Sequence, residues 1–438
     1  MTKTASNDTG VPPEDAFLQS VASLGAREPL RTSQAIYNAN GIMLLQGGAR
    51  VDQGLFDRLV SHRLMAPLDE CVEAEASVDG AALRDAAEAL LVRLPFFGLM
   101  GRSARVRVLL LDALAGVPLP KPVALQLTLM RSAQPALFEH SVLMGLLAAY
   151  LVLEGGGLHH DVGMAATAGV LHDIGMLHID PGLLEAIGPL SGDELKPIYV
   201  HPMTASMVMD RFSKQYPKDV LRAVVEHHER LDGSGYPRGL VGDAISPLGQ
   251  VLSIAEVVTA MFDGSRRHAE QRVSLLLRVN AGRYAPVLVA SIQRLLRALP
   301  PASEGAAATL GESVSTVRVL DALLTGWSEV AAKIGAALRP AEQRLLKPVG
   351  EQTATLRRMM LSAGITPDQL DMLEGDTSDD PVLRLELWAL AEELRWQLRA
   401  TANNLHRRWH GGSDGIAYPP TLASWIDAVK ALDPGTTA

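Results

Sequence analysis

The segment HHERLDGSGYP, from His227 to Pro237, sets two adjacent imidazoles, the carboxylate of Asp232 and a glycine-broken turn directly after the apolar run Val220 to Val225. Upstream stand the pair His172 and Asp173, a lone His201, and His140. These are side chains that ligate divalent ions. An imidazole and carboxylate set without thiolates suits iron, manganese or zinc, and it excludes the thiolate-rich structural zinc pattern. Asp173 carries two oxygens and can bridge two ions. Two ions a few ångströms apart, bridged by a carboxylate and a hydroxide, form a device for phosphodiester hydrolysis: they lower the pKa of the water, polarise the phosphorus and receive the leaving oxygen.

Helices must position these groups. The pattern predicts a helix from Met164 to Ile174 that carries His172 and Asp173 near its end, with Gly175 terminating it. Adjacent helical residues diverge by about 100°, so this pair reaches one ion from two directions. His201 follows 29 residues after His172, before Pro202 at a predicted helix start, and His227 and His228 come 26 residues later near the end of a helix from Val220 to Glu229. His140 falls on a helix from Leu137 to Leu153. Loops of these lengths allow a bundle that points all five imidazoles inward. Nine of the twelve histidines lie between positions 140 and 268, and of these His159, His160, His178 and His268 read as ordinary surface or core residues.

Composition bounds the rest. The chain has 438 residues, 47% hydrophobic but only 4% aromatic, which points to helical cores of Leu, Ala, Val and Met. A net charge of -9 without a basic run argues against binding a nucleic acid polymer, while leaving room for a small anion in a local pocket. The single cysteine, Cys71, excludes an internal disulfide and reads as a buried apolar residue. The first residues lack an apolar core of signal-peptide length, and the run Ser141 to Leu153 is too short to span a bilayer. A cytoplasmic protein is expected.

Along the chain, residues 1–26 read as a mobile lead-in and 27–72 as a small α+β module. In that module Asn38-Ala39-Asn40-Gly41 joins two short strands, and a helix runs from Val51 to Leu64. Residues 73–122 form a helical connector broken at Pro95 and Gly98 to Gly101, 123–302 the histidine-bearing helical domain, 303–312 a linker, and 313–438 a C-terminal helical region. The last region includes a helix opened by Asp380-Pro381, where Leu383, Leu387, Leu390, Leu394 and Leu398 form a packing stripe for a bundle or a partner helix. The fold class is mainly α.

LHDIG at 171–175, HP at 201–202 and HHERLDGSGYPRGL at 227–240 resemble the HD-GYP family, metal-dependent helical phosphodiesterases that hydrolyse bacterial cyclic di-GMP. Pro247, the following VLSIAEVV, and Gly282-Arg283-Tyr284-Ala285-Pro286 continue that family's order. The resemblance implies an HD-superfamily bundle and two divalent ions, Fe or Mn with Zn as a further option. It assigns them the ligands His140, His172, Asp173, His201, His227, His228 and Glu256, with Asp173 and His172 at the centre of catalysis. Gly235, Tyr236 and Pro237, with Asp232 and Arg238, would line the substrate mouth. The implied partners are cyclic di-GMP and, through the GYP turn or the C-terminal helices, signalling proteins; a homodimer is compatible with all of this.

Four positions depart from the family pattern. Met176 stands where a lysine is usual, which removes a cation from the substrate phosphate and leaves Arg238 and Arg230 as the nearest replacements. Glu256 replaces an aspartate ligand, Ala136 a glutamate that supports a third metal, and Thr259 a second aspartate. Two readings follow: a hydrolase that opens cyclic di-GMP to the linear dinucleotide and on to GMP, and a catalytically inactive sensor or adaptor that binds a cyclic dinucleotide or a protein partner.

Overall fold

The structure, a computed structural model, describes residues 21, 30–51, 54–55, 59, 62–180, 192–262, 269–299, 310–335, 338–362, 365, 369, 381–410 and 418–432. The expected lead-in (apart from Val21), most of the expected linker, His268 and Asp380 lie outside the described residues. The chain divides into two compact units, one taking in 1–185, 196–263 and 282–299, the other 186–195, 264–281 and 300–438.

The first unit opens with short strands. β1 (Leu30–Thr32) lies between β4 (Arg50–Val51) and β5 (Val72–Ala74) in an antiparallel sheet, Leu30 facing both Val51 and Ala74. β2 (Ile36–Tyr37) and β3 (Met43–Leu45) form the expected hairpin. Its turn closes because Asn38 Oδ1 accepts from the backbone N–H groups of Asn40 (3.0 Å) and Ile42 (2.9 Å), and Gly41 takes a φ of 78° that disfavours a side chain. Val51, expected to begin a helix, instead pairs as the last residue of β4. A two-residue strand carries no period by which to tell it from a helical turn. Cys71, at the end of α1 (Leu68–Cys71), is buried as expected.

The connector is α2 (Gly80–Arg93), α3 (Pro95–Gly98) and α4 (Ala104–Ala115). Asp79 caps α2 by accepting from the Ala82 N–H at 2.8 Å, and Pro95 and Gly98 to Gly101 break the run where the sequence predicts. Then come α5 (Lys121–Ala133), α6 (Pro135–Glu154), α7 (His159–Leu171), a 3-10 turn (Ile174–His178), α8 (Gly192–Asp210), α9 (Lys218–Glu226) and α10 (Pro247–Thr259). α6 is longer than the apolar run within it suggested. By length and composition it is long enough to cross a membrane, yet it is mostly buried and carries His140, as a core helix does. It meets α7 backbone to backbone: a Cβ on Gly169 would lie 2.7 Å from Gly145 Cα.

Three helix bounds differ from the sequence reading. α7 ends at Leu171, so His172 caps it and Gly175 sits inside the 3-10 turn. α9 ends at Glu226, which places His227 and His228 just beyond it. His201 and Pro202 lie within α8 rather than at its start.

α11 (Ala269–Val279) groups with the second unit, whereas α12 (Pro286–Arg297) belongs to the first. The second unit continues with α13 (Leu310–Gly335), α14 (Pro340–Ser362), α15 (Pro381–His410) and α16 (Pro420–Lys430). Leu387, Leu390, Leu394 and Leu398 are buried in its core with Leu320, Leu324 and Trp327 of α13 and Leu356 of α14, so the leucine stripe serves this bundle. The Trp425 ring lies against Trp327, tilted by 58° with centroids 4.6 Å apart, and donates its indole N–H to the Leu323 carbonyl at 3.1 Å.

Candidate metal centre

Three histidines are held by one device. His172 and His227 follow the last turns of α7 and α9, where helix carbonyls lack helical partners. Their Nδ1 atoms donate to the carbonyls three residues back, Gly169 (2.7 Å) and Val224 (2.6 Å). His201 sits mid-helix, but Pro202 has no N–H for the carbonyl of Ile198, and His201 Nδ1 takes that carbonyl instead. With Nδ1 protonated, each ring turns the lone pair of Nε2 toward a common centre, the neutral form a metal requires.

That centre is Asp173. Its Oδ1 lies 3.0 Å from His201 Nε2 and 3.7 Å from His227 Nε2, and its Oδ2 lies 3.3 Å from His172 Nε2. Glu256 on α10 reaches the other side: its Oε2 is 3.0 Å from His140 Nε2 and 3.3 Å from His172 Nε2. Two groups result, each with donor atoms within 4.8 Å of one another: Asp173, His201, His227 and His228, and His140, His172 and Asp173. Asp173 is common to both. His172 Nε2 and Asp173 Oδ1 are fully buried and make no hydrogen bond despite these distances, so polar atoms converge there without satisfying each other. Divalent cations fit that arrangement.

The carboxylates and imidazoles set one another's charge. Burial disfavours a charged His172, but the carboxylates of Asp173 and Glu256 outweigh it and push its pKa up to about 10. Burial acts to raise Asp173 and Glu256, but the imidazoles around each hold both well below the ordinary range. His227 is driven well below its usual value by burial and by His228 and His172, and burial together with His201 lowers His228 to about 3. The carboxylates, His227 and His228 thus stand in the forms that ligate, whereas His172 must give up a proton when a cation binds.

Glycines fix the approach of the ligand-bearing segments. A Cβ on Gly175 would come within 2.2 Å of the His201 carbonyl, so this residue lets the 3-10 turn after Asp173 lie directly on α8. A Cβ on Gly235 would meet Glu229 Cα and Arg230 N at 2.5 Å. Its smallness seats the GYP turn on the backbone behind the paired histidines, with the Tyr236 N–H donating to the His228 carbonyl at 3.2 Å.

Tyr236 stacks on His228, centroids 4.4 Å apart at 24°. Burial raises its pKa and keeps its hydroxyl a donor. Glu229, absent from the sequence-derived set, is completely buried and accepts from the N–H groups of Arg238 (2.7 Å) and Leu240 (2.9 Å), pinning the turn from beneath. Standing as one acid beside two ligand-type histidines, it gave no separate signal. Pro237 follows in the same turn, half-buried, and the Arg238 side chain is exposed.

Asp232 stands apart from both donor groups. It closes its own loop, accepting from the Ser234 N–H (3.0 Å) and Arg283 Nε (3.1 Å). Arg230, a sequence candidate for holding phosphate, points inward instead: its guanidinium donates to Ser253 Oγ (2.8 Å) and the Glu229 carbonyl (2.9 Å) and lies over Tyr284. Thr259 donates to the Ala255 carbonyl at 2.8 Å, and Ala136 is exposed. His159 and His160 are exposed surface residues, and His178 lies near Asp69 and Arg211, outside both groups.

The HD domain family matches residues 125–284. The cyclic di-GMP phosphodiesterase response regulator RpfG of Xanthomonas campestris is 34% identical over 114 residues, covering 26% of this chain and 30% of that protein. The cyclic di-GMP phosphodiesterase PA4108 of Pseudomonas aeruginosa is 32% identical over 158 residues, 35% of this chain and 37% of that one. The 3'3'-cGAMP-specific phosphodiesterase 1 of Vibrio cholerae is 36% identical over 125 residues, 28% of each. The chain thus spans well under half the length of these relatives. Residues 125–284 thus match the HD domain family, and their LHDIG, HP and HHE-to-GYP segments, which resemble the HD-GYP members of that family, gather at one shared carboxylate.

Proposed function

We propose that this chain is a metal-dependent phosphodiesterase that hydrolyses cyclic di-GMP to linear pGpG and on to GMP. The observation that carries the reading is Asp173, whose two oxygens serve two donor groups at once. The relatives named as cyclic di-GMP and 3'3'-cGAMP phosphodiesterases support the substrate class. His140, His172, Asp173, His201, His227, His228 and Glu256 would hold two ions, Fe or Mn, with Zn also suited to these donors. The bound ions would supply a hydroxide at neutral pH and neutralise charge on the phosphate. The chain's own residues do the rest: Asp173 sets the spacing between the two donor groups, the Nδ1 bonds orient the imidazoles, and Tyr236 offers a hydroxyl to a phosphate oxygen from the mouth.

Two observations favour a second reading, a metal-bound sensor that does not turn over. Met176 supplies no cation beside Asp173, and Arg230 is engaged inward. The two readings separate in one experiment. Metal-free protein is loaded anaerobically with Fe(II) or Mn(II), its metal content measured, and cyclic di-GMP offered with products resolved by chromatography. The hydrolase reading expects two ions per chain and turnover that Asp173→Ala abolishes. Binding of cyclic di-GMP without turnover under any metal overturns it in favour of the sensor.

A further inference from the structure

A line of aromatic rings leads away from the metal centre. His228 belongs to one donor group, Tyr236 stacks on it, and the ring of Tyr199 lies against Tyr236 with centroids 4.7 Å apart at 56°. Tyr199 sits on α8 two residues before His201 and is 44% exposed, beside the exposed Val200 and Met203. Among the described residues neither tyrosine hydroxyl makes a hydrogen bond, so no polar anchor accounts for an aromatic ring standing in water there.

We propose that Tyr199 is a substrate-binding residue that stacks a purine of the substrate while the phosphate occupies the metal centre. The inference rests on the phosphodiesterase reading and names how that site holds the outer part of its substrate. Three observations favour it. The rings follow one another without a gap from His228, a member of a donor group, through Tyr236 to Tyr199, with centroids 4.4 and 4.7 Å apart. Tyr199 stands on a helix that also fixes a ligand, so the platform is positioned by the element that positions the metal donor. Of the cations around the mouth, Arg230 faces Ser253 and Tyr284, and Arg283 is paired to Asp232, so both are already committed.

A stacked ring reads a π-face and carries no donor and acceptor code, so either purine satisfies it. Cyclic di-GMP and 3'3'-cGAMP are therefore expected to be held with similar KM values.

The test uses the full chain, metal-loaded, with cyclic di-GMP as substrate and inorganic phosphate as a competitive inhibitor that reports the metal centre without a base. Tyr199→Ala is expected to raise KM about tenfold with little change in kcat. The inhibition constant for phosphate should not follow, and Tyr199→Phe and Tyr199→Trp should restore KM. Equal movement of KM and the phosphate constant would mean that Tyr199 only shapes the metal centre, and an unmoved KM would mean that it touches no base; either overturns the proposal while leaving the phosphodiesterase reading intact. A wild-type protein that holds its metals but neither binds nor hydrolyses a cyclic dinucleotide overturns that reading, and this proposal with it.

Discussion

His201 donates its Nδ1–H to the carbonyl of Ile198, the acceptor that Pro202 lacks the N–H to claim. A proline inside a helix ordinarily costs about 3 kcal/mol. Here the orphaned carbonyl becomes the orienting partner of a metal-type histidine. Pro202→Ala restores a competing N–H and should loosen the ring. Metal affinity is expected to fall about tenfold while thermal stability holds or rises. Calorimetric metal titration alongside a melting curve checks both directions, and an unchanged affinity would show that Ile198 does not orient the ring.

Gly175 supports the same ligand from the other side. Its missing Cβ leaves room for the His201 carbonyl, which would otherwise lie 2.2 Å away. Gly175→Ala must push the turn after Asp173 off α8, at a cost of about 1–3 kcal/mol. It should also part Asp173 from His201, lowering metal content in the purified protein. Elemental analysis beside denaturant unfolding separates the two effects, and a destabilised protein with full metal content would deny the coupling.

These two positions mark where the sequence stopped being legible. Residue types and order sufficed for the helical class, for the Asn38 to Gly41 turn and for the leucine stripe of α15, because each rests on local period or turn chemistry. Pro202 reads as a helix start, since proline favours the first helical position. Its place inside α8 depends on a side-chain bond that no local pattern reveals. Gly175 reads as a helix stop, yet the crowding that demands it comes from a segment 26 residues later. Arg230 was a candidate for phosphate by proximity in the chain, and Ser253 and Tyr284, which draw it inward, are distant in sequence.

The histidines of the metal-free protein should titrate in opposite directions. His172, with a pKa of about 10, remains an imidazolium at pH 8, whereas His228, at about 3, is neutral. For His172 the folded value exceeds the ordinary 6.5. Its contribution to stability is therefore full below about pH 6.5 and is lost as pH rises through about 10. For His228 the folded value is depressed, so unfolding takes up a proton below about pH 6.5 and stability falls as the solution is acidified. Nitrogen-15 spectra of the imidazoles at pH 8 check the assignment directly. Metal loading should convert His172 to the neutral form, and a neutral His172 in the metal-free protein would contradict this balance.

Glu229 provides a test of the loop apart from the ligands. Its two oxygens accept from the N–H groups of Arg238 and Leu240, so the GYP turn hangs from one buried carboxylate. Glu229→Gln preserves the size but turns one acceptor into an amide donor facing a second donor, leaving a buried N–H unsatisfied at a cost of about 1–3 kcal/mol. The turn should then lift from the backbone of His228 to Arg230, taking Tyr236 off the His228 ring while the donor set stays in place. The expected outcome is an increase in KM for cyclic di-GMP of about tenfold or more, with metal content retained. Loss of metal together with activity would instead mean that Glu229 holds the paired histidines themselves, and its role would move from the mouth of the site to its floor.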